Sequence, residues 1–135
     1  MKNDYIMRMI EEFFRALARV ISNRQINNYP EAREGLDNLS KMITRLSVEQ
    51  LKAVGAEGIK QFFNVTKPED TEKVFCIAKI IKEDALIYEG EGNKEEAKKS
   101  YQSSLEFFEL IKDINIEEHN EALEEINYIT NKIQS

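Results

Sequence analysis

Cysteine occurs once in this chain, as Cys76, and histidine once, as His119. A single cysteine excludes an intrachain disulfide and fits a reducing compartment. A single histidine is a poor start for a metal site. A second ligand on the same helix face would stand three or four residues on, where the sequence has Ala122 and Leu123. Proline occurs twice and glycine five times. That scarcity, with plentiful Glu, Lys, Leu and Ile, suits helices. A long hydrophobic run is also missing, so no segment is expected to span a bilayer. Asp4, Arg8, Glu11 and Glu12 break up the N-terminal apolar residues, so no signal peptide is expected there. An excess of positive charge is missing too. Nineteen Lys and Arg face 25 Asp and Glu, a net charge of -6, which ill suits a phosphate backbone. The expectation is a cytoplasmic protein that binds neither nucleic acid nor membrane.

What is present is helical periodicity. The 135 residues suggest one domain able to bury about two thirds of its unfolded surface. The most informative stretch is residues 78–111. Ala78, Ile81, Ala85 and Tyr88 fall three or four apart, and so do Ala97, Tyr101, Leu105, Phe108 and Ile111. A Gly-Asn break at Gly92-Asn93 separates the two patterns, which predicts an antiparallel helical hairpin.

This hairpin resembles a tetratricopeptide (TPR) repeat, a unit of about 34 residues. Ala85 and Tyr88 stand where the family has a small residue and then an aromatic on its first helix. Gly92, Ala97, Tyr101 and Ser104 match the turn glycine, the small residue, the aromatic and the next small residue. Small residues let helix axes approach, and aromatics fill the space beside them. Asp84, where an apolar residue is usual, and Glu109, where proline is common, depart from the pattern; Asp84 is expected to weaken packing. The resemblance implies a scaffold for protein contacts. It also implies that Lys79 and Lys82 lie on the groove face used by members that grip a C-terminal carboxylate. Leu86, one turn later, stands where those members commonly have Asn.

The rest of the chain reads as four more helices. The first is expected over residues 4–23, with an apolar stripe of Ile6, Met9, Ile10, Phe13, Phe14, Leu17, Val20 and Ile21. Five capping-box spacings mark later helix starts: Asn28/Glu31, Ser47/Gln50, Thr66/Glu69, Asn93/Glu96 and Asn115/Glu118. The second helix should run over residues 29–46, with Ala32, Leu36, Leu39, Ile43 and Leu46 inward. Asn28-Tyr29-Pro30-Glu31-Ala32 aligns with Asn93-Lys94-Glu95-Glu96-Ala97, a weak internal repeat at about two TPR lengths. Residues 47–63, with Gly55 and Gly58, should form one bent or interrupted helix, or else two short ones. Residues 68–89 and 94–114 form the TPR-like pair. A sixth helix over residues 116–133, with Ile116, Leu123, Ile126, Ile129 and Ile133 inward, should cover the open end of that hairpin.

Candidate chemistry is thin. Cys76 sits on an apolar-rich segment with no histidine placed to activate it, as expected of a buried thiol. Glu11-Glu12, Glu95-Glu96 and Glu124-Glu125 are adjacent pairs. Adjacent helical residues diverge by about 100°, so these are expected to be solvated faces rather than acid–base pairs. Gly90-Glu91-Gly92 has neither the preceding strand nor the following G-K-[ST] of a phosphate loop. No catalytic residue, metal or cofactor is expected, and the chain reads as a non-enzyme.

Charge divides unevenly. Up to Phe63 there are ten basic and eight acidic residues; from Asn64 there are nine and seventeen. Solvated faces explain this, or else head-to-tail or antiparallel pairing of unlike halves. The wide stripe on the first helix points the same way. Ile6, Ile10, Phe13, Phe14 and Leu17 are candidates for self-association as a homodimer, and the rival is a sixth helix folded back over them.

The opening M-K-N-D-Y-I-M-R-M-I resembles that of an uncharacterised family of small bacterial proteins. These have a D-Y-[IL]-M-R opening and a TPR-like C-terminal half, so the resemblance extends over most of the chain. The sequence therefore predicts an all-α domain of about six antiparallel helices in TPR-like hairpins. It would serve as a protein-interaction or scaffold module, with a regulatory module holding a small ligand between helices as the alternative.

Overall fold

A computed structural model describes the backbone of residues 4–113 and 116–134 and the side chains of residues 4–113 and 121–134. Six helices follow one another: α1 (Asp4–Gln25), α2 (Tyr29–Thr44), α3 (Val48–Ile59), α4 (Pro68–Gly90), α5 (Lys94–Ile111) and α6 (Ile116–Gln134). No strand occurs among the described residues. Short turns join successive helices, and neighbours in sequence pack side by side, so the all-α reading holds.

Helix α4 is the wall shared by two cores. Thirteen of its 23 residues are buried, and a helix apolar on nearly every side belongs inside a fold. One side of it, Cys76, Ile80 and Ile87, packs with Phe13, Leu17 and Val20 of α1 and Ala32, Leu36, Leu39 and Ile43 of α2. Its other side, Val74, Phe75, Ile77, Ala78, Ile81 and Ala85, packs with Leu51 and Ile59 of α3, with Ala97, Tyr101, Phe107, Phe108 and Ile111 of α5, and with Ala122 and Ile129 of α6. Small residues set the α4–α5 spacing. Ala78, Ala85 and Ala97 are buried, and the Ser104 hydroxyl donates to the Ala78 carbonyl at 2.7 Å.

Helix α6 covers α5, as expected, with Ile126, Ile129 and Ile133 packed against the core, but its first described turn differs. Ala122, Glu125 and Ile129 are its buried residues, and Leu123 is 37% exposed. The face was expected through Leu123. There it runs instead through the alanine one step, about 100°, away, on the side where Glu125 meets α4 (below). Among the described side chains, none of α6 belongs to the core beside α1.

The helix starts use fewer caps than the spacings suggest. Ser47 and Gln50 form the full reciprocal box. Asn93 accepts from the Glu96 amide. Asn28 makes no side-chain cap bond, although Pro30 stands in the first turn. Helix α4 is capped at Lys67 without a side-chain bond, because Asn64 takes Thr66 for itself, accepting from both its amide and its hydroxyl. The Asn115/Glu118 spacing lies outside the described residues and side chains. Helix α3 is interrupted at Gly55 (φ 71°, ψ 173°), a conformation essentially reserved for glycine. Residues 48–59 are therefore two short helical segments that meet at a kink, the second of the two expected forms.

The internal repeat is present in the backbone. At the α1–α2 turn, Asn27 has φ 63° and Asn28 has φ -89°, ψ 71°. At the α4–α5 turn, Gly92 has φ 82° and Asn93 has φ -93°, ψ 77°. The hydrogen bonds match as well. Asn28 N donates to Asn23 O at 2.8 Å, and Asn93 N to Tyr88 O at 2.9 Å. Ala32 N and Ala97 N each close the next turn at 3.0 Å.

Candidate functional site

Three side-chain clusters stand out, and α4 supplies two of them. The first surrounds Asp84, which is 3% exposed. Its Oδ2 accepts from Ser100 Oγ of α5 at 2.7 Å and from Lys52 Nζ of α3 at 2.9 Å. Its Oδ1 accepts from Arg33 Nη1 of α2 at 3.4 Å. The Arg33 guanidinium lies 4.1 Å from the Tyr88 ring centre and also reaches Glu91; Lys52 Nζ lies 5.3 Å from the same ring. One carboxylate therefore ties four helices together. Burial alone would lower the Lys52 and Arg33 values, but Asp84 and the nearer acids outweigh it, so both stay above their ordinary values. Asp84 was expected to weaken the packing; three hydrogen bonds meet it there, which supply the partners that a buried carboxylate needs.

Beside it, Glu83 is buried and bonded by Arg24 of α1. Burial raises the Glu83 carboxyl above its ordinary value, and Arg24 offsets this only in part. These contacts pair part of the unevenly divided charge. Arg24, Arg33 and Lys52 from the basic half meet Glu83, Asp84 and Glu91 from the acidic half within one chain.

The second cluster contains the groove lysines. Lys79 Nζ and Lys82 Nζ reach the two oxygens of Glu125 at 2.9 and 2.5 Å. Burial opposes ionisation of Glu125, but Lys82 and Lys79 together hold it below the ordinary carboxylate range. Of the Glu124-Glu125 pair, only Glu124 is exposed; Glu125 is 8% exposed, which overturns its reading as a solvated residue. Lys82 also lies over the Tyr128 ring at 4.6 Å, and Lys132 bonds Glu89 at 3.0 Å. Leu86 is partly buried against the α4–α5 core. Helix α6 thus occupies the face where Lys79 and Lys82 lie.

The third cluster is apolar and lies on α1. Ile6, Phe13 and Leu17 are buried within the chain. Phe14 is 40% exposed and Met7 45%, and Ile10 is half-buried. Met7, Ile10 and Phe14 belong to neither core. The Phe14 and Phe13 rings meet edge to face, at 5.2 Å between centroids. Of the five residues proposed from sequence, Ile10 and Phe14 therefore face outward. On the other flank of α1, an open groove of about 390 Å³ runs along α2, lined by Ala16, Arg19, Asn23, Glu34, Gly35 and Asn38 among others.

Cys76 is 1% exposed, and burial followed by the charge of Glu72 pushes its thiol far up from the ordinary value. The His119 side chain lies outside the described ones. Among the described residues no group of three or more His, Cys, Asp or Glu could hold a metal ion, and no helix is long and apolar enough to cross a membrane. Sequence reading missed Arg33, Lys52 and Ser100 as partners of Asp84. Its one signal was Asp84 itself, an acid inside an apolar face.

No curated protein and no solved structure matches the chain. Residues 1–135 match the family of unknown function DUF6483 over their whole length, and the chain belongs to that family.

Proposed function

We propose that this protein is a TPR-like interaction module of the cytoplasm, not an enzyme, presenting a helix-lined surface to a protein or peptide. The observation that carries this is the imbalance between the two ends of the helix array. Helix α6 covers the α4–α5 hairpin, while α1 leaves Met7, Ile10 and Phe14 outside both cores. A stacked helical array needs a polar outer face at each end, and a terminal helix with an apolar edge is suited to a partner. The small residues at Ala85, Ala97 and Ser104, the aromatic Tyr101 and the positive φ of Gly92 support the TPR-like character of the hairpin.

Chemical crosslinking followed by mass spectrometry tests this reading. Crosslinks from α1 to another polypeptide, a second copy included, are expected for the native chain and should be lost in Phe14→Glu at unchanged helicity. A chain that engages no polypeptide, its own copies included, would overturn the module reading. One observation favours the alternative of a regulatory module with a small ligand: the groove between α1 and α2, whose size lies in the range of ligand pockets. A thermal shift with a small polar ligand, abolished by Gly35→Leu in the groove floor, would favour it.

A further inference from the structure

We infer that the partner on the exposed edge of α1 is a second copy of this chain, docked antiparallel about a twofold axis near Phe14. The inference rests on the interaction-module reading and names its partner. At about 100° per residue, Met7, Ile10, Phe14 and Ile21 share one edge of α1. Met7 and Phe14 are exposed, and Ile10 and Ile21 are half-buried. The opposite edge, with Ala16, Arg19 and Asn23, faces α2 across the groove. The apolar edge therefore looks away from the groove; Met7 and Phe14 are exposed on it, and Ile21 at its far end packs in part against the α1–α2–α4 core.

Charge gives the orientation. The first half of α1 carries Asp4, Glu11 and Glu12 against a single base, Arg8, all exposed. The second half carries no acid, and Arg24 is taken by Glu83; nearest the apolar edge stand Asp4 and Glu11 in the first half and Arg15 in the second, while Glu12 and Arg19 lie on the far side. A parallel second copy would set acidic half on acidic half and basic on basic. An antiparallel copy sets each acidic half against a basic one and opposes the two helix dipoles. Phe14 stands near the middle of α1, so the axis brings Phe14 against Phe14 and Met7 of one protomer toward Ile21 of its partner. The same patch serves both subunits, as a twofold contact requires. Two Phe rings at the centre of an apolar seam, with a charged margin, form the anchor-and-rim arrangement of an interface.

The test uses the full chain. Sedimentation from about 1 to 300 µM should show a monomer–dimer equilibrium. Phe14→Glu should weaken it at least about tenfold at unchanged helicity, because Phe14 lies outside both cores. Orientation is read by disulfide trapping. Met7→Cys and Ile21→Cys proteins are mixed and oxidised; Cys76, 1% exposed, does not compete. The mixed disulfide, which joins one variant to the other, should exceed both like-with-like disulfides. Dominance of the like-with-like products would mean a parallel pair and overturn the inference. So would a monomer at every concentration, or a monomer that binds anionic lipid vesicles through Phe14. A monomer that still crosslinks to a different polypeptide through Phe14 would overturn this inference alone and leave the module reading standing.

Discussion

Ser100 donates its hydroxyl proton to Asp84 at 2.7 Å in the heart of the α4–α5 interface, where both residues are buried. The hydroxyl shares Oδ2 with Lys52, whose Nζ also reaches Ser100 Oγ at 3.3 Å, while Arg33 takes Oδ1. Asp84→Ala removes the acceptor for three helices at once. Lys52 and Arg33 keep some access to water, with side chains 15% and 31% exposed, so they are not stranded. The expected loss is about 1–3 kcal/mol, below that for a fully buried pair. Asp84→Asn keeps the Ser100 bond and should lose less. Urea unfolding of both variants checks this, and a loss under about 0.5 kcal/mol for Asp84→Ala would show that the network adds little.

Glu125 and Glu83 should respond to pH in opposite senses. Glu125 is held below the ordinary value of 4.5 by Lys82 and Lys79 against the effect of burial. Its folded form binds protons less readily than its unfolded form. The stability it contributes is complete above pH 4.5 and is lost as pH falls through the folded value. Glu83 is raised above 4.5 by burial, which exceeds the influence of Arg24. Its contribution is complete below 4.5 and is lost as pH rises through the folded value. Melting temperatures from about pH 3 to pH 7 should therefore show Glu125→Gln falling further below the native chain as pH rises. The gap for Glu83→Gln should move the opposite way. Parallel pH profiles for both variants would contradict the assignment.

Ala97 sits at 3% exposure between α4 and α5. Ala97→Leu adds three carbons where the axes are spaced by Ala78, Ala85 and Ser104. Overpacking should cost about 1–3 kcal/mol. An unchanged melting temperature would mean that the hairpin yields at this point.

The helices were legible because each writes its own apolar period, and the α4–α5 hairpin was the clearest. What periodicity cannot carry is contact at long range. Asp84 meets Arg33 from 51 residues away and Lys52 from 32 away, so in sequence it looked like a defect in an apolar face. The wide stripe on α1 was read correctly as wide, with Phe14 as its one exposed member. Phe13 turned inward and Phe14 outward because α2 and α4 together cover less than the stripe's full width. Leu123 is exposed while Ala122 is buried, on the side where Glu125 meets two lysines, a contact that the apolar period does not show. Cap spacings were overcounted because Asn and Thr in a turn can bond their own loop, as Asn64 and Thr66 do.

The matching turns make a final prediction about glycine. Gly92 holds φ 82° in the second hairpin, and Asn27 holds φ 63° at the equivalent place in the first. A β-carbon at Gly92 would meet nothing within 4 Å, so only the backbone preference opposes substitution there. Asparagine tolerates this left-handed region better than other residues with a side chain. Gly92→Asn should therefore cost no more than about 0.5 kcal/mol, and Gly92→Val about 1–2 kcal/mol, since β-branching is least tolerant of positive φ. Gly55 provides the contrast. It too has open space around it, but at φ 71°, ψ 173° it occupies a region that asparagine does not share. Gly55→Asn should cost about 1–3 kcal/mol. Thermal unfolding of the three variants decides the matter. Equal losses for Gly92→Asn and Gly55→Asn would show that Asn27 is no guide to Gly92 and that the two turns are alike in shape only.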